Sequence, residues 1–390
     1  MLAVHTDKLY SALRRYDEKR KDEKFVANEI LQGDCKEVLK QKPDGYFNCC
    51  VTSPPYWGLR DYGIPPSSWP AMTYSPMPGL PDIHIPEWTG CLGLEPTPEM
   101  FVAHMVLVFR EVRRTLRDDG TLWLNFGDSY AGNPRRDEGF NARWHGKHYL
   151  SDKQGETART RPRRDMPDGL KQKDLVGIPW RVAFALQADG WYLRMDNIWH
   201  KPNCMPESVV DRPTKAHEYM FLLSKSKKYY YDAEAIKEPA VGFDFRPPAG
   251  SEGAFGPQQS RRRKGNSKTF RGGGQYTQGQ SFDNSNTVIR ESHGNQPNES
   301  GMRNKRSVWT VATAQLAESH FATFPEKLIE PCILAGCPEG GRVLDPFFGS
   351  GTTGRVAMKY NREFTGIDLN DKYINLSQKR TSSVQAVLNL

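Results

Sequence analysis

The apolar positions of the first 130 residues change period several times, and each change marks an element. Phe25 to Leu31 runs into Gln32-Gly33-Asp34-Cys35, a strand-to-helix corner followed by a helix expected over Cys35 to Leu39. Cys49 to Thr52 is a short apolar and β-branched run after Gly45, which predicts a buried strand. Pro54 stops it, since proline cannot donate to a ladder. From Gly58 to Pro96 periodicity disappears into a Pro-, Ser-, Trp- and Gly-rich stretch too long for a simple connector, read as a lid loop. Thr97-Pro98-Glu99 then opens a helix whose stripe (Phe101, Met105, Val108, Phe109, Val112, Leu116) is expected to last until Asp118-Asp119-Gly120, with a strand over Thr121 to Asn125.

The same alternation returns later. A helix is expected over Trp180 to Ala188, a strand over Trp191 to Trp199 continued by His200-Lys201-Pro202-Asn203, and another strand over Glu218 to Leu223. Near the end, Phe324-Pro325-Glu326 opens a helix to about Ala335; Arg342 to Phe347 is a strand, Thr352 to Tyr360 a helix, and Glu363 to Asp368 a strand. Strands alternating with helices predict an α/β fold built on a doubly wound, mostly parallel sheet. No run reaches the ~18 apolar residues of a membrane span, and the opening residues lack the order of a secretory signal, so a soluble intracellular protein is expected.

Charge changes this picture. The chain of 390 residues carries a net charge of +8, which suggests an anionic partner. Residues 131–173 hold 11 Lys and Arg against 6 Asp and Glu, and residues 239–306 hold 11 against 5, so the excess is concentrated in two aperiodic insertions. Arg161, Arg163 and Arg164 mark the first, and Arg261, Arg262, Arg263 and Lys264 the second. The second is Gly-, Gln- and Asn-rich enough to stay disordered unless something anionic orders it. A charged leader, 8–24, reads as a solvated helix. The seven cysteines form no C-x-x-C pair, so neither a zinc site nor a disulfide framework is indicated.

Two stretches carry chemistry. The prolines of Ser53-Pro54-Pro55-Tyr56-Trp57 hold the preceding residues extended, presenting the Ser53 hydroxyl and backbone carbonyls in one direction beside two aromatic rings. Taken alone this is also an ordinary turn. The second stretch is Asp345-Pro346-Phe347-Phe348-Gly349-Ser350-Gly351-Thr352-Thr353-Gly354, with Asp368 at the tip of the next strand, 19 residues after Gly349. Glycines at the turn allow close approach of a ligand to the backbone, and an acidic residue about 20 residues on suits ribose hydroxyls. No lysine follows the glycines, and Asp345 would repel a pyrophosphate. The site is expected to take a cationic nucleoside without phosphate, a description that S-adenosylmethionine fits.

Together the two motifs resemble those of the DNA amino-methyltransferases, and their order, catalytic motif first and cofactor motif last, resembles the permuted beta class. The resemblance covers most of 28–130, 175–232 and 307–380. It implies a Rossmann-like methyltransferase fold with a catalytic half (25–130, lid 58–96, continued over 174–238) and an S-adenosylmethionine-binding half (307–390), and leaves unmatched the charged leader (1–24), the basic insertion (131–173) and the second insertion (239–306), read as a target-recognition or disordered segment. It implies that Ser53, Pro54, Pro55 and Tyr56 are catalytic. The Ser53 side chain and the Pro54 carbonyl would hold the amino group, with Tyr56 stacked on the flipped base. It assigns Asp34, Phe324, Asp345, Phe347, Gly349, Ser350, Gly351, Thr352 and Asp368 to S-adenosyl-L-methionine, although a helix cap suffices for Asp34 and a core role for Phe324. Trp57, Trp199, Lys201 and Asn203 are assigned to the target-base pocket, and the Arg and Lys clusters to DNA.

The implied reaction is site-specific transfer of a methyl group to an exocyclic amino group in double-stranded DNA. Cytosine N4 is favoured because Ser leads Pro-Pro-Tyr, with adenine N6 as the alternative. A catalytically silent nucleic-acid-binding protein of the same fold, and an RNA or protein-amide methyltransferase, are the competing classes. Pro331-Cys332 is the dipeptide of carbon-5 cytosine methyltransferases, but it precedes the cofactor loop, so Cys332 is expected in the core. A homodimer, a cognate restriction endonuclease and a cytoplasmic, nucleoid-associated location are consistent with the resemblance.

Overall fold

The computed structural model describes residues 28–58, 63–132, 169–204, 206–240, 301–313 and 324–388, with side chains to 384. The charged leader, Arg161, Arg163, Arg164, Arg261, Arg262, Arg263 and Lys264 lie outside these residues.

Strands β1 (Asn28–Gln32) and β2 (Phe47–Thr52) flank helix α1 (Cys35–Lys40). Two short ribbons follow, β3 (Ser67–Trp69) paired with β6 (Trp88–Gly90), and β4 (Met72–Tyr74) paired with β5 (Ile83–Ile85). Next come helix α2 (Pro98–Thr115), β7 (Leu116–Phe126), α3 (Ile178–Ala188), β8 (Tyr192–His200) and β9 (His217–Ser224). β10 (Glu238–Pro239) and β11 (Met302–Arg303) pair with each other within a separate compact unit, Lys237–Lys305. The remainder comprises β12 (Val308–Thr310), α4 (Glu326–Gly336), β13 (Arg342–Asp345), α5 (Thr352–Lys359), β14 (Glu363–Asp368) and α6 (Asp371–Leu388). Among the described residues, no helix is long and apolar enough to cross a membrane.

Eight strands form one sheet in the order β1-β14-β13-β2-β7-β9-β8-β12, and only β9 runs against the rest. The expected doubly wound, mostly parallel sheet is therefore present. Its two faces follow the period-2 alternation of a strand. Cys50, Leu122, Leu124, Phe221 and Leu344 pack with Leu39 of α1, Phe101 and Val108 of α2 and Ala183 of α3. Their neighbours Cys49, Val51, Trp123, Met220 and Val343 pack on the other face with Leu328 and Ile333 of α4 and Val356 of α5. Cys332 is fully buried in that second layer, as the sequence predicts.

The chain passes from β2 through α2 to its neighbour β7, and from β13 through α5 to its neighbour β14 on the other side. The direction of winding reverses between β2 and β13, and this switch point is where an open α/β sheet leaves a crevice beyond its strand tips. The strand ends there are Thr52 and Asp345.

Two expectations need correction. The stretch 58–96 is not a structureless lid, because its aromatic residues have a core to join. Trp69, Tyr74 and Ile85 are buried, and the Trp69 ring stacks 4.3 Å from that of the buried His104 of α2. Helix α2 also ends earlier than its apolar stripe suggests. Leu116 is already paired with Phe47, and the extra residues 117–120 are taken up by a register shift before Cys49 meets Thr121.

One packing detail makes a test. Phe348 stacks on Phe364 with ring centroids 5.4 Å apart, and a Cβ on Gly366 would lie 2.3 Å from the Phe348 ring. Gly366→Ala must push that ring out of its pocket. A loss of about 1–3 kcal/mol is expected from such overpacking, read as a lowered midpoint in denaturant unfolding.

Candidate active site

The two strand tips at the switch point are tied by a buried carboxylate. Asp345, 2% exposed, accepts hydrogen bonds from Thr52 Oγ1 at 2.6 Å, from Thr353 Oγ1 at 2.6 Å and from the Phe347 backbone N–H at 3.1 Å. Burial raises its pKa to about 6, against the lowering effect of these three donors. Thr52, which ends β2, thus holds Asp345, which ends β13. Pro54 is buried behind the tip, while Ser53 and Pro55 face the cavity in front of it.

The glycine turn is built around the second carboxylate. Gly349 (φ 51°) donates its N–H to Asp368 Oδ2 at 2.8 Å, and Asn370 N donates to Oδ1 at 2.8 Å. Burial raises the Asp368 pKa as well. Leu369 N–H is a third backbone donor to this carboxylate, which with about four lone-pair sites retains acceptor capacity for a ligand. Gly351 (φ 82°) caps α5 in a left-handed conformation, and Arg380 from α6 donates to the Ser350 carbonyl at 2.7 Å. Gly351 supports the loop from behind rather than lining the cavity.

One cavity receives most of the residues singled out from the sequence. Asp34, Ser53, Pro55, Phe324, Asp345, Phe347, Gly349, Ser350, Thr352 and Asp368 all line it. Asp34 does two things: it caps α1 by accepting from Lys36 N at 3.0 Å and also faces the cavity. Its partner Lys36 turns away to the ribbon, donating to the Ser68 carbonyl at 2.9 Å and lying 3.6 Å from the Trp69 ring centre. Ile64, Pro65, Ser67, Trp69, Cys91 and Leu92 form the opposite wall. Sequence reasoning missed that wall, because nothing local says that residues 64–69 and 91–92 return to face β13; their Trp and Cys content was the only available signal. The lining includes three aspartates and, among the described residues, no Lys or Arg. An acidic, largely apolar cleft of this kind suits a cationic nucleoside and opposes a phosphate.

The residues assigned to the target base separate into two groups. Tyr56 is half-buried beside Ser53, whose hydroxyl is 3.5 Å from its own, and it donates to Glu218 Oε2 at 2.8 Å. Lys201 pairs with the same Glu218. Trp57, in contrast, is 6% exposed and its indole N–H donates to the Glu95 carbonyl at 2.9 Å. Trp199 is 4% exposed and donates to the Val311 carbonyl at 2.8 Å. Both rings are packed in the interior, each indole large enough to fill a layer and with its N–H satisfied there, and neither lines the cavity. Asn203 joins the segment after β12, accepting from Thr313 N at 2.9 Å, and does not line the cavity. Glu218 and Asn125 were not anticipated, since each stands in a strand that reads simply as core.

Residues 47–379 match a DNA methylase family spanning N6 and N4 amino-methyltransferases. The chain belongs to that family. The methylase is 42% identical over 352 residues to a type II methyltransferase, M.SmaI of Serratia marcescens, covering 90% of this chain and 89% of that one. It is 40% identical over 351 residues to M.Cfr9I of Citrobacter freundii, again a type II methyltransferase, with 90% and 86% covered. Among solved structures, a PvuII DNA methyltransferase described as cytosine-N4-specific shares the fold, with a TM-score of 0.51 at 15% identity and 93% of each chain covered. The methyl donor of the methylase is S-adenosyl-L-methionine.

The Thr52–Asp345 bond can be tested directly in the methylase. Thr52→Val keeps shape but removes a donor from a buried carboxylate, so a loss of about 1–3 kcal/mol in unfolding free energy is expected. Unchanged stability in urea titration would show that the carboxylate does not depend on the bond.

Proposed function

We propose that this methylase is a site-specific type II enzyme that methylates N4 of cytosine in double-stranded DNA, with Ser53 and most of its cofactor residues in one cavity at the switch point. The observation that carries the reading is that Ser53 and Pro55 share one cleft with Asp345, Gly349 and Asp368. The names of M.SmaI and M.Cfr9I support the type II assignment, and with it a cognate restriction endonuclease. Serine ahead of Pro-Pro-Tyr favours cytosine over adenine.

In this reading Asp368 accepts hydrogen bonds from ribose hydroxyls, Asp34 contacts the adenine edge, and Phe324 and Phe347 cover the apolar parts of the cofactor. Asp345 faces its ammonium group. The bound cofactor supplies an electrophilic methyl group on a sulfonium. The protein's task is to make an aromatic amine nucleophilic, since its lone pair is delocalised into the ring. The Ser53 hydroxyl directs its own proton toward Tyr56 Oη, 3.5 Å away, leaving its lone pairs for an amino N–H, and the Pro54 carbonyl takes the other. Both contacts strengthen as the nitrogen becomes tetrahedral, so they stabilise the transition state more than the ground state. No protein nucleophile is needed, in keeping with the burial of Cys332. The basic insertions contact phosphates and carry sequence reading.

Nucleoside analysis of DNA treated with the enzyme should reveal N4-methylcytosine; N6-methyladenine alone overturns the base assignment. Ser53→Ala should lower turnover by about 10²–10³ while calorimetric affinity for S-adenosylmethionine stays within about twofold. Asp345 adds a pH dependence. Its carboxyl titrates at about 6, above the ordinary carboxylate value, because it is buried. A neighbouring cation favours the ionised form, so binding drives off a proton wherever Asp345 is protonated. Cofactor affinity should therefore be constant above pH 7 and fall as pH drops through about 6, by up to about tenfold per pH unit. Asp345→Asn should bind weakly and lose that slope.

A further inference from the structure

Four strands deliver polar side chains to one point beside Ser53. Tyr56 follows β2, Asn125 lies near the end of β7, Glu218 near the start of the antiparallel β9, and Lys201 just beyond β8. Tyr56 Oη donates to Glu218 Oε2 at 2.8 Å and stands 3.1 Å from Asn125 Oδ1. The Asn125 amide donates to the Tyr219 carbonyl at 2.9 Å and reaches Glu218 Oε2 at 3.3 Å. Lys201 Nζ pairs with the other oxygen, Glu218 Oε1, and sits 4.2 Å from the centre of the Trp199 ring.

A phenol has one proton, and the nearer, charged acceptor orients it. Burial and the Glu218 charge hold the Tyr56 hydroxyl well above its ordinary pKa, so it remains a donor. The ring is confined from a second side as well: a Cβ on Gly127 would lie 2.7 Å from Tyr56 Cε2 and 3.2 Å from Glu218 Oε1. Position, tilt and rotation of the ring are thus all set. A tyrosine needed only for packing does not require an ion pair behind it; Glu218 and Lys201 are only 16% and 18% exposed, and desolvating such a pair is costly. Neither residue lines the cofactor cavity.

We infer that Glu218 is a positioning residue for methyl transfer: held by Lys201 and Asn125, its carboxylate fixes, through the Tyr56 hydroxyl, the platform against which the flipped base rests. The inference depends on the base-stacking role given to Tyr56 above. It assigns Lys201 to the alignment of Glu218, and it places the Trp199 ring beneath Lys201 rather than against the base.

A double-mutant cycle separates this from a merely structural role. Glu218→Ala, Tyr56→Phe and the double variant are assayed for turnover on DNA, and their cofactor affinity is measured by calorimetry. Glu218→Ala should reduce kcat about tenfold and leave cofactor affinity within about twofold. If Glu218 acts through the hydroxyl, it has nothing left to orient in the Tyr56→Phe background, so the double variant should be no slower than the slower single one, within about twofold. Glu218→Gln retains an acceptor and should recover to within about threefold of the parent. Losses that multiply in the double variant overturn the inference. So does a Glu218→Gln variant that folds, binds cofactor normally and is as slow as Glu218→Ala. A parent enzyme that transfers no methyl group to DNA would instead overturn the proposed function, and is distinguishable because it fails before any variant is made.

Discussion

The structure depends on a carboxylate that is buried where two strands of opposite winding meet. Asp345 cannot turn to water, so its hydrogen bonds must come from the protein, and they come from both sides of the switch point: Thr52 on β2 and Thr353 on α5. The crevice at a switch point exists for topological reasons. What the carboxylate adds is a fixed distance between the strand that ends in Thr52, next to Ser53, and the glycine turn that follows β13. It also places negative charge in a cleft with no lysine or arginine in its described lining, so the group that holds the strands together also makes the cleft suit a cation and oppose a phosphate.

The ribbons of residues 67–90 complete the cleft. They are anchored by aromatic stacking on His104, itself paired with Glu95 at 2.9 Å in the interior, and by Lys36 from below. Glu95 also receives the Gly93 N–H at 2.8 Å, and its backbone carbonyl accepts from Trp57. One buried acid thereby connects the wall of the cofactor cleft to the residue that follows Tyr56. The wall and the Ser-Pro-Pro-Tyr tip are parts of one hydrogen-bonded assembly.

On the far side of Ser53 the logic is different. The polar groups around Tyr56 do not line the cleft and are drawn from three further strands, the placement on which the proposed base platform rests. An antiparallel β9 within a parallel sheet makes this arrangement available, since it brings the beginning of one strand to the edge where its neighbours end. Family membership accounts for the fold and the methyl donor; the constellation of Glu218, Lys201 and Asn125 accounts for how the Tyr56 hydroxyl is held.

Much of this was legible in the chain itself. The Ser-Pro-Pro-Tyr tip and the Asp-Pro-Phe-Phe-Gly-Ser-Gly turn depend on proline and glycine chemistry that acts within a few residues, and β14 and α5 follow from local periodicity, so the fold class, the glycine turn and one wall of the cleft were legible from the chain alone. What it could not determine was set by contacts between distant segments. The ribbons form because Trp69 and Tyr74 find a core that α2 supplies, and Trp57 and Trp199 turn their rings into the core layers on opposite faces of the sheet. Glu218 becomes a partner of Tyr56 because β9 is inserted in reverse beside β7. Tertiary structure decided these three points because burial and strand order join residues up to 162 positions apart, and no local pattern records which distant side chain will be the neighbour.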